Sequence, residues 1–240
     1  MKRILFAIAL MLFVVTAHAK TLIIYYSYTN NVERIVNDLR TQIDADVIEV
    51  EPAEKGLDYA ANNYAIGSAQ IAAIRANPDD AASYPAIDPV NVDMSQYSSI
   101  IIGTPLWWSN MAAPLQSFLF QYGKEMANKN IGLIVSSASS GISGVEGDAK
   151  RLIPNGNFLS PSLWIRSSQT SNAKTLLQNW LPAINYNNLT TGIKNIEQDH
   201  STAITIYSLS GERLLANVES TATLPAGLYI INGKKRLILK

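Results

Sequence analysis

The feature that most constrains this chain is a repeated order: a short, wholly apolar β-favouring run, then a segment with helical spacing. Thr21-Leu-Ile-Ile-Tyr-Tyr26 is the first such run, and it shows no polar alternation. A strand of that kind is buried on both faces, as in a parallel sheet. After the polar turn Ser27-Tyr-Thr-Asn-Asn31, the residues Val32, Ile35, Val36, Leu39 and Ile43 recur three and four apart, which makes one helix face. Further strands are predicted over 46–50, 98–103, 131–135 and, more weakly, 163–165. Further helices are predicted over 62–77, 114–126, 144–152 and 173–181. Pro114 opens the second of these, where a missing N–H costs nothing, and Pro182 is expected just past the last. Strand and helix in strict alternation build a three-layer α/β domain, because each crossover returns over one face of a parallel sheet.

The two ends read differently. Lys2 and Arg3, the apolar run over 4–15 and Ala17-His-Ala19 form the pattern of a cleaved secretory signal over 1–19. The apolar run is too short to span a bilayer, and no later segment is long and apolar enough to do so. Cleavage leaves a slightly acidic chain starting at Lys20, exported to the periplasm, the cell surface or the medium. The α/β domain is expected over 20–184 and a polar linker over 185–201. The remainder, 202–240, reads as short strands with glycine turns, a small all-β appendage.

Composition removes several function classes. Lysine plus arginine and aspartate plus glutamate both total 19, so no basic excess points to nucleic acid. There is no cysteine, which excludes disulfides, thiolate metal sites and cysteine nucleophiles. Two histidines, His18 in the signal and His200 in the linker, are too few for a histidine-rich metal centre. No metal site and no catalytic acid or base stands out.

Ligands of open α/β sheets sit at the carboxyl ends of the strands, so the turns after strands one, three and four are the candidate site. The first carries Ser27, Thr29, Asn30, Asn31 and Val32 at a helix amino terminus, which suits a phosphate. The same residue types also serve as ordinary helix caps. The second, Gly103-Thr-Pro-Leu-Trp-Trp-Ser-Asn110, brings two tryptophans to the crevice; one of them is expected to fill the gap between sheet and helix. The third, Ser136-Ser-Ala-Ser-Ser-Gly141, is small and hydroxyl-rich, so backbone groups can approach a polar ring edge.

Taken together these residues resemble the flavodoxin family, and its bacterial flavodoxin-like flavoprotein branch. Tyr26-Ser-Tyr-Thr-Asn-Asn31 is similar to the family's Ser-x-Thr-Gly-Asn-Thr phosphate loop. Ile102-Gly-Thr-Pro-Leu-Trp-Trp108, followed by Met111-Ala-Ala-Pro-Leu115, resembles its Gly-Thr-Pro-x-Trp-Trp loop and next helix. Val135-Ser-Ser-Ala-Ser-Ser-Gly141 resembles the third flavin loop, and 59–85 the tyrosine-containing insertion before strand three. The resemblance implies a five-stranded parallel sheet in the order 2-1-3-4-5 and non-covalent flavin mononucleotide (FMN). It implies that Ser27, Tyr28, Thr29, Asn30, Asn31 and Val32 surround the phosphate. Pro105, Leu106, Trp107 and Trp108 would flank the ring, and Ser137, Ala138, Ser139 and Gly141 would approach its other edge. Asn30 stands where the family has glycine, and Val32 where it has threonine.

Ile206-Tyr-Ser-Leu-Ser-Gly211 with Leu224-Pro-Ala-Gly-Leu-Tyr229 resembles the sorting domain of type IX secretion in Bacteroidetes, which implies the secretion machinery as a partner. The function implied is an exported FMN protein that passes electrons to a redox partner or acts as a flavin-dependent reductase. The alternative is a flavodoxin-fold module that has lost flavin and binds another ligand or partner. Such a module would fill its crevice with Trp107, Trp108 or Tyr28.

Overall fold

The computed structural model describes residues 20–138, 141–190, 204–208, 212–218, 224–231 and 234–238. The expected signal over 1–19, Ser139, His200 and positions 209–211 of the expected glycine turn lie outside these residues. The chain divides into two compact units, one holding the described residues up to Thr190 and the other those from Ile204.

In the first unit the elements are β1 (Lys20–Tyr25), α1 (Asn31–Arg40), β2 (Asp46–Glu49), α2 (Ala61–Ala76), β3 (Tyr97–Trp107), β4 (Asn110–Met111) and α3 (Ala113–Tyr122). There follow β5 (Asn130–Ser137), α4 (Ser143–Leu152), β6 (Asn157–Phe158), β7 (Leu163–Arg166), α5 (Ala173–Ala183) and α6 (Tyr186–Thr190). The parallel strands run in the order β2-β1-β3-β5. The fifth position is shared: β6 pairs with the start of β5 at Asn130 and Ile131, and β7 with its end from Ile134 to Ser137. The expected five-position order, 2-1-3-4-5, is the observed one.

Strand residues alternate between two cores. Leu22, Ile24, Ile100, Ile102, Leu133 and Val135 pack with Leu115 and Phe118 of α3 and Val145 of α4. Ile23, Tyr25, Ile101, Ile134 and Ile165 pack with Val32, Ile35, Val36 and Leu39 of α1 and Leu177 and Trp180 of α5. Leu22, Ile23 and Ile24 are fully buried, each contributing roughly 1.5–3 kcal/mol of transfer free energy.

Four local expectations are corrected. β3 does not close at Gly103 but continues to Trp107, then turns back through β4. A Cβ on Gly103 would stand 3.1 Å from Tyr25 Cβ and from Val32 Cγ1. Glycine here lets the strand run close under α1 rather than ending it. Likewise β5 continues through Ser136 and Ser137, both buried. The first residues of α2 are not regular helix, since Asn62, Asn63 and Tyr64 all have left-handed backbone angles. Pro182 lies inside the last turn of α5 rather than after it.

The start of the expected linker also belongs to the first unit. Tyr186 is 4% exposed, and its hydroxyl lies 2.8 Å from Thr21 Oγ1 in β1. The second unit is an antiparallel sheet of β8 (Ile204–Tyr207), β9 (Arg213–Val218), β10 (Gly227–Ile231) and β11 (Lys234–Ile238), in the order β11-β10-β8-β9.

Candidate functional site

A cavity of about 830 Å³ opens at the carboxyl edge of the sheet. All three candidate turns reach it. Ser27, Tyr28, Thr29, Asn31 and Val32 come from the β1–α1 turn; Pro105, Leu106, Trp107 and Trp108 come from the end of β3; Ser136, Ser137 and Ala138 come from the end of β5. Among the described residues, none of those lining it carries a charge.

The first turn is built around Asn30, whose φ of 60° is left-handed. Glycine takes that conformation freely; asparagine is among the few other residues that visit it at modest cost. Asn30 is exposed and does not line the cavity, so its part is played by the backbone. Ser27 Oγ accepts the Glu33 N–H at 3.3 Å, and Thr29 Oγ1 accepts from Asn31 Nδ2 at 3.1 Å. Each hydroxyl keeps its own proton to donate. The N–H groups of Asn31 and Val32, in the first turn of α1, have no carbonyl within the helix to reach. Two hydroxyls, two amides and the positive end of a helix thus converge at one end of an uncharged cavity. Tyr28 is committed elsewhere: its hydroxyl donates to Asp58 Oδ1 at 3.1 Å and accepts the Ala60 N–H at 3.0 Å.

The aromatic side has two different tryptophans. Trp107 is half-buried, with ring centroids 4.8 Å from Tyr59 and 5.6 Å from Tyr26, the latter edge-on at 89°. It fills the gap between sheet and helix. Trp108 is 41% exposed and stands at the turn between β3 and β4. There Trp108 has φ 46° and Ser109 φ 66°. A two-residue hairpin turn of this hand favours Asn-Gly, and a tryptophan in it costs of order 1–3 kcal/mol.

Neighbouring helices grip this turn. Arg75 of α2 donates from Nη2 to the Trp108 carbonyl and from Nε to Asn110 Oδ1 at 2.7 Å. Asp148 of α4 accepts at Oδ2 from Asn110 Nδ2 and from the Met111 N–H, both at 2.9 Å. Its Oδ1 pairs with Arg151 at 3.2 Å. A Cβ on Gly67 of α2 would meet the Trp108 ring at 3.1 Å, and one on Gly144 of α4 would meet the Ser109 carbonyl oxygen at 2.0 Å.

Among the described residues of the third turn, Ser136, Ser137 and Ala138 reach the cavity. Ser137 Oγ accepts from Trp164 Nε1 at 2.8 Å. Ala138 lines the cavity, but Gly141 is exposed and outside the lining. Residues not singled out in the sequence also take part: Tyr59, Ala60, Tyr64 and Gly67 from the β2–β3 crossover, and Ser167 just past β7. The rule that sites form at strand carboxyl ends reaches Ser167. Burial raises the Tyr59 phenol above its ordinary range, with the Gln70 side chain pulling the other way; burial, then Tyr59 and Tyr28 nearby, also raises Tyr26.

The family model described as Flavodoxin matches residues 20–184. The chain belongs to the flavodoxin family. Solved structures with this flavodoxin fold include a candidate flavoprotein from Bacteroides eggerthii, at 21% identity and a TM-score of 0.55, over 70% of this chain and 98% of that one. A flavoprotein in complex with FMN from Lactobacillus acidophilus is 23% identical with a TM-score of 0.51, over 65% of this chain and 99% of that one. A search of curated proteins found no match.

Proposed function

We propose that this flavodoxin-family chain binds FMN without a covalent link and serves in electron transfer or as a flavin-dependent reductase. The observation that carries the reading is one cavity in which α1's donor cluster and the Pro105–Trp108 aromatic wall meet. The donor set fits a phosphate: the hydroxyls of Ser27 and Thr29 and the first-turn amides of Asn31 and Val32 would hold it. Trp108 would offer a ring face, and Ser137 and Ala138, which also line the cavity, would approach a polar ring edge. When bound, flavin supplies electron- and hydride-transfer chemistry. The chain's own contribution is stacking, orientation and an uncharged lining. That FMN occupies a solved relative of the same fold supports the reading.

The cavity also bears on the flavin-free alternative. A chain that had lost its ligand would close the crevice with its own rings, whereas about 830 Å³ stands open beside Pro105.

Export is part of the proposal. It is supported by the signal pattern over 1–19 and by the sorting-like pattern of 202–240, with the secretion machinery as a partner. Among the described residues no helix is long and apolar enough to cross a membrane.

The test is FMN titration of the purified chain followed by tryptophan quenching and flavin absorbance. Micromolar or tighter binding, with flavin released on denaturation, is expected. No binding at high micromolar FMN overturns the reading.

A further inference from the structure

Among the described residues, nine other than glycine have a left-handed φ, and six of them are asparagine. The three that are not asparagine are Tyr64, Trp108 and Ser109. Tyr64 and Trp108 both line the cavity and are its two exposed large aromatics, at 53% and 41%. A tryptophan keeps such a conformation only where its surroundings over-determine it. The surroundings here are specific. Arg75 reaches the turn from α2 with two donors, one to the Trp108 carbonyl and one to Asn110 Oδ1. Asp148 reaches it from α4, taking the Asn110 amide and the Met111 N–H on one oxygen. Arg151 holds Asp148 in turn, and also donates to Gln116 Oε1 at 2.8 Å, while Gln116 Nε2 donates to the Met111 carbonyl at 2.7 Å. Asn110 is the shared member, bonded to both sides at once.

We propose that Arg75 and Asp148 are positioning residues for the ligand cavity: acting from two helices through Asn110, they hold the Trp108–Ser109 turn in its left-handed form and so fix the Trp108 ring as a wall of the site. Arg75 does a second thing. By tying α2 to the turn it keeps Gly67 against the Trp108 ring, so the wall cannot move without the helix. Neither residue lines the cavity; both act through Trp108. The inference rests on the FMN reading for its affinity arm and stands without it for its structural arm.

The experiment uses the purified chain and three substitutions, Arg75→Met, Arg75→Lys and Asp148→Asn. The four tryptophan indole N–H signals are followed by NMR, with Trp108 assigned through Trp108→Phe, and FMN is titrated against each variant. R75M and D148N are expected to move the Trp108 signal in the same direction and leave Trp164 and Trp180 in place. FMN affinity should fall about tenfold in each, as for loss of a charge-assisted bond. R75K, which offers a point donor in place of a two-pronged one, should fall between. An unmoved Trp108 signal in R75M overturns the proposal, as does a shift of all four signals together. Wild-type protein that ignores FMN while R75M still moves Trp108 and leaves Trp164 and Trp180 in place rejects the flavin reading and supports the clamp.

Discussion

Val32→Thr puts the phosphate-loop reading at risk, because two effects of opposite sign must appear together. Val32 is the second residue of α1, is 2% exposed, and belongs to the core with Ile35 and Val36 while also lining the cavity. Its Cγ1 stands 3.1 Å from where a Cβ on Gly103 would be, so the site has no slack. Threonine is nearly the same shape and exchanges one methyl for a hydroxyl. Without ligand the exchange sets a polar group where a methyl packed in the core at a site 2% exposed, which costs about 1–3 kcal/mol. With a phosphate at the end of α1 it gains a hydrogen bond to a charged acceptor, worth about 1.5–3 kcal/mol. The apo protein should therefore melt lower, by roughly 2–4 °C per kcal/mol for a domain of this size. FMN affinity should rise about ten- to a hundredfold.

Calorimetric melting without ligand and titration of FMN measure the two effects separately. Riboflavin, which has the ring and no phosphate, is the control: its affinity should not respond to V32T. Saturating FMN should raise the variant's melting temperature by more than the wild type's, because ligand binding to the folded state adds stability that grows with the logarithm of the ligand concentration over Kd. A variant that loses stability while its FMN affinity stays put refutes the placement of the phosphate at this helix end. Equal gains for FMN and riboflavin refute it as well.

Two further outcomes follow from geometry. Gly144→Ala sets a Cβ 2.0 Å from the Ser109 carbonyl oxygen, whereas Gly147→Ala in the same helix has no atom within 4 Å. The first should lower stability by about 1–3 kcal/mol through overpacking against backbone and the second should raise it by roughly 0.5–1 kcal/mol, both read by denaturant unfolding. Burial raises the phenols of Tyr26 and Tyr59. Their protonated forms are thus favoured by the fold, so this contribution to stability is complete below the unfolded value of about 10 and declines as pH rises beyond it. Ultraviolet titration should show two or more phenols ionising late, and denaturant midpoints should begin to drop above that pH.

The strands and the α1 face were legible because burial leaves a pattern. Leu22, Ile23 and Ile24 are apolar on both sides of the strand, and Val32, Ile35, Val36 and Leu39 are the residues α1 buries. The end of β3 was not legible. Gly103 and Pro105 read as punctuation in a sequence, yet here the first permits a close pass beneath Val32. Pro105 lies past the last residue of β1 paired to β3, Tyr25, where there is no β1 neighbour to receive a donor. The share of the crossover in the site was missed for a related reason. Gly67 sits in an alanine-rich helix where nothing marks one glycine from its neighbours, and its meaning comes only from the Trp108 ring 3.1 Å from where its Cβ would be. Likewise Arg75 is an exposed cation by every local rule, and only the turn lying against it gives it two acceptors.

The left-handed residues separate what the fold needs from what the site needs. Asn30 opens α1, and Asn128 and Asn155 stand where one turn's N–H meets the other's carbonyl at 2.8 Å. These are places where the chain must turn, and asparagine turns it at little cost. The β3–β4 turn had the same option, since Asn-Gly would join the two strands with no strain. It carries Trp108 and Ser109 instead, and two helices supply an arginine and an aspartate to keep them there. Turning the chain does not explain that choice; presenting an indole to the cavity does. Local rules of backbone and burial therefore fail together around the cavity, at Trp108 in the β3–β4 turn and at Tyr64 near the start of α2, the two exposed aromatics of its lining.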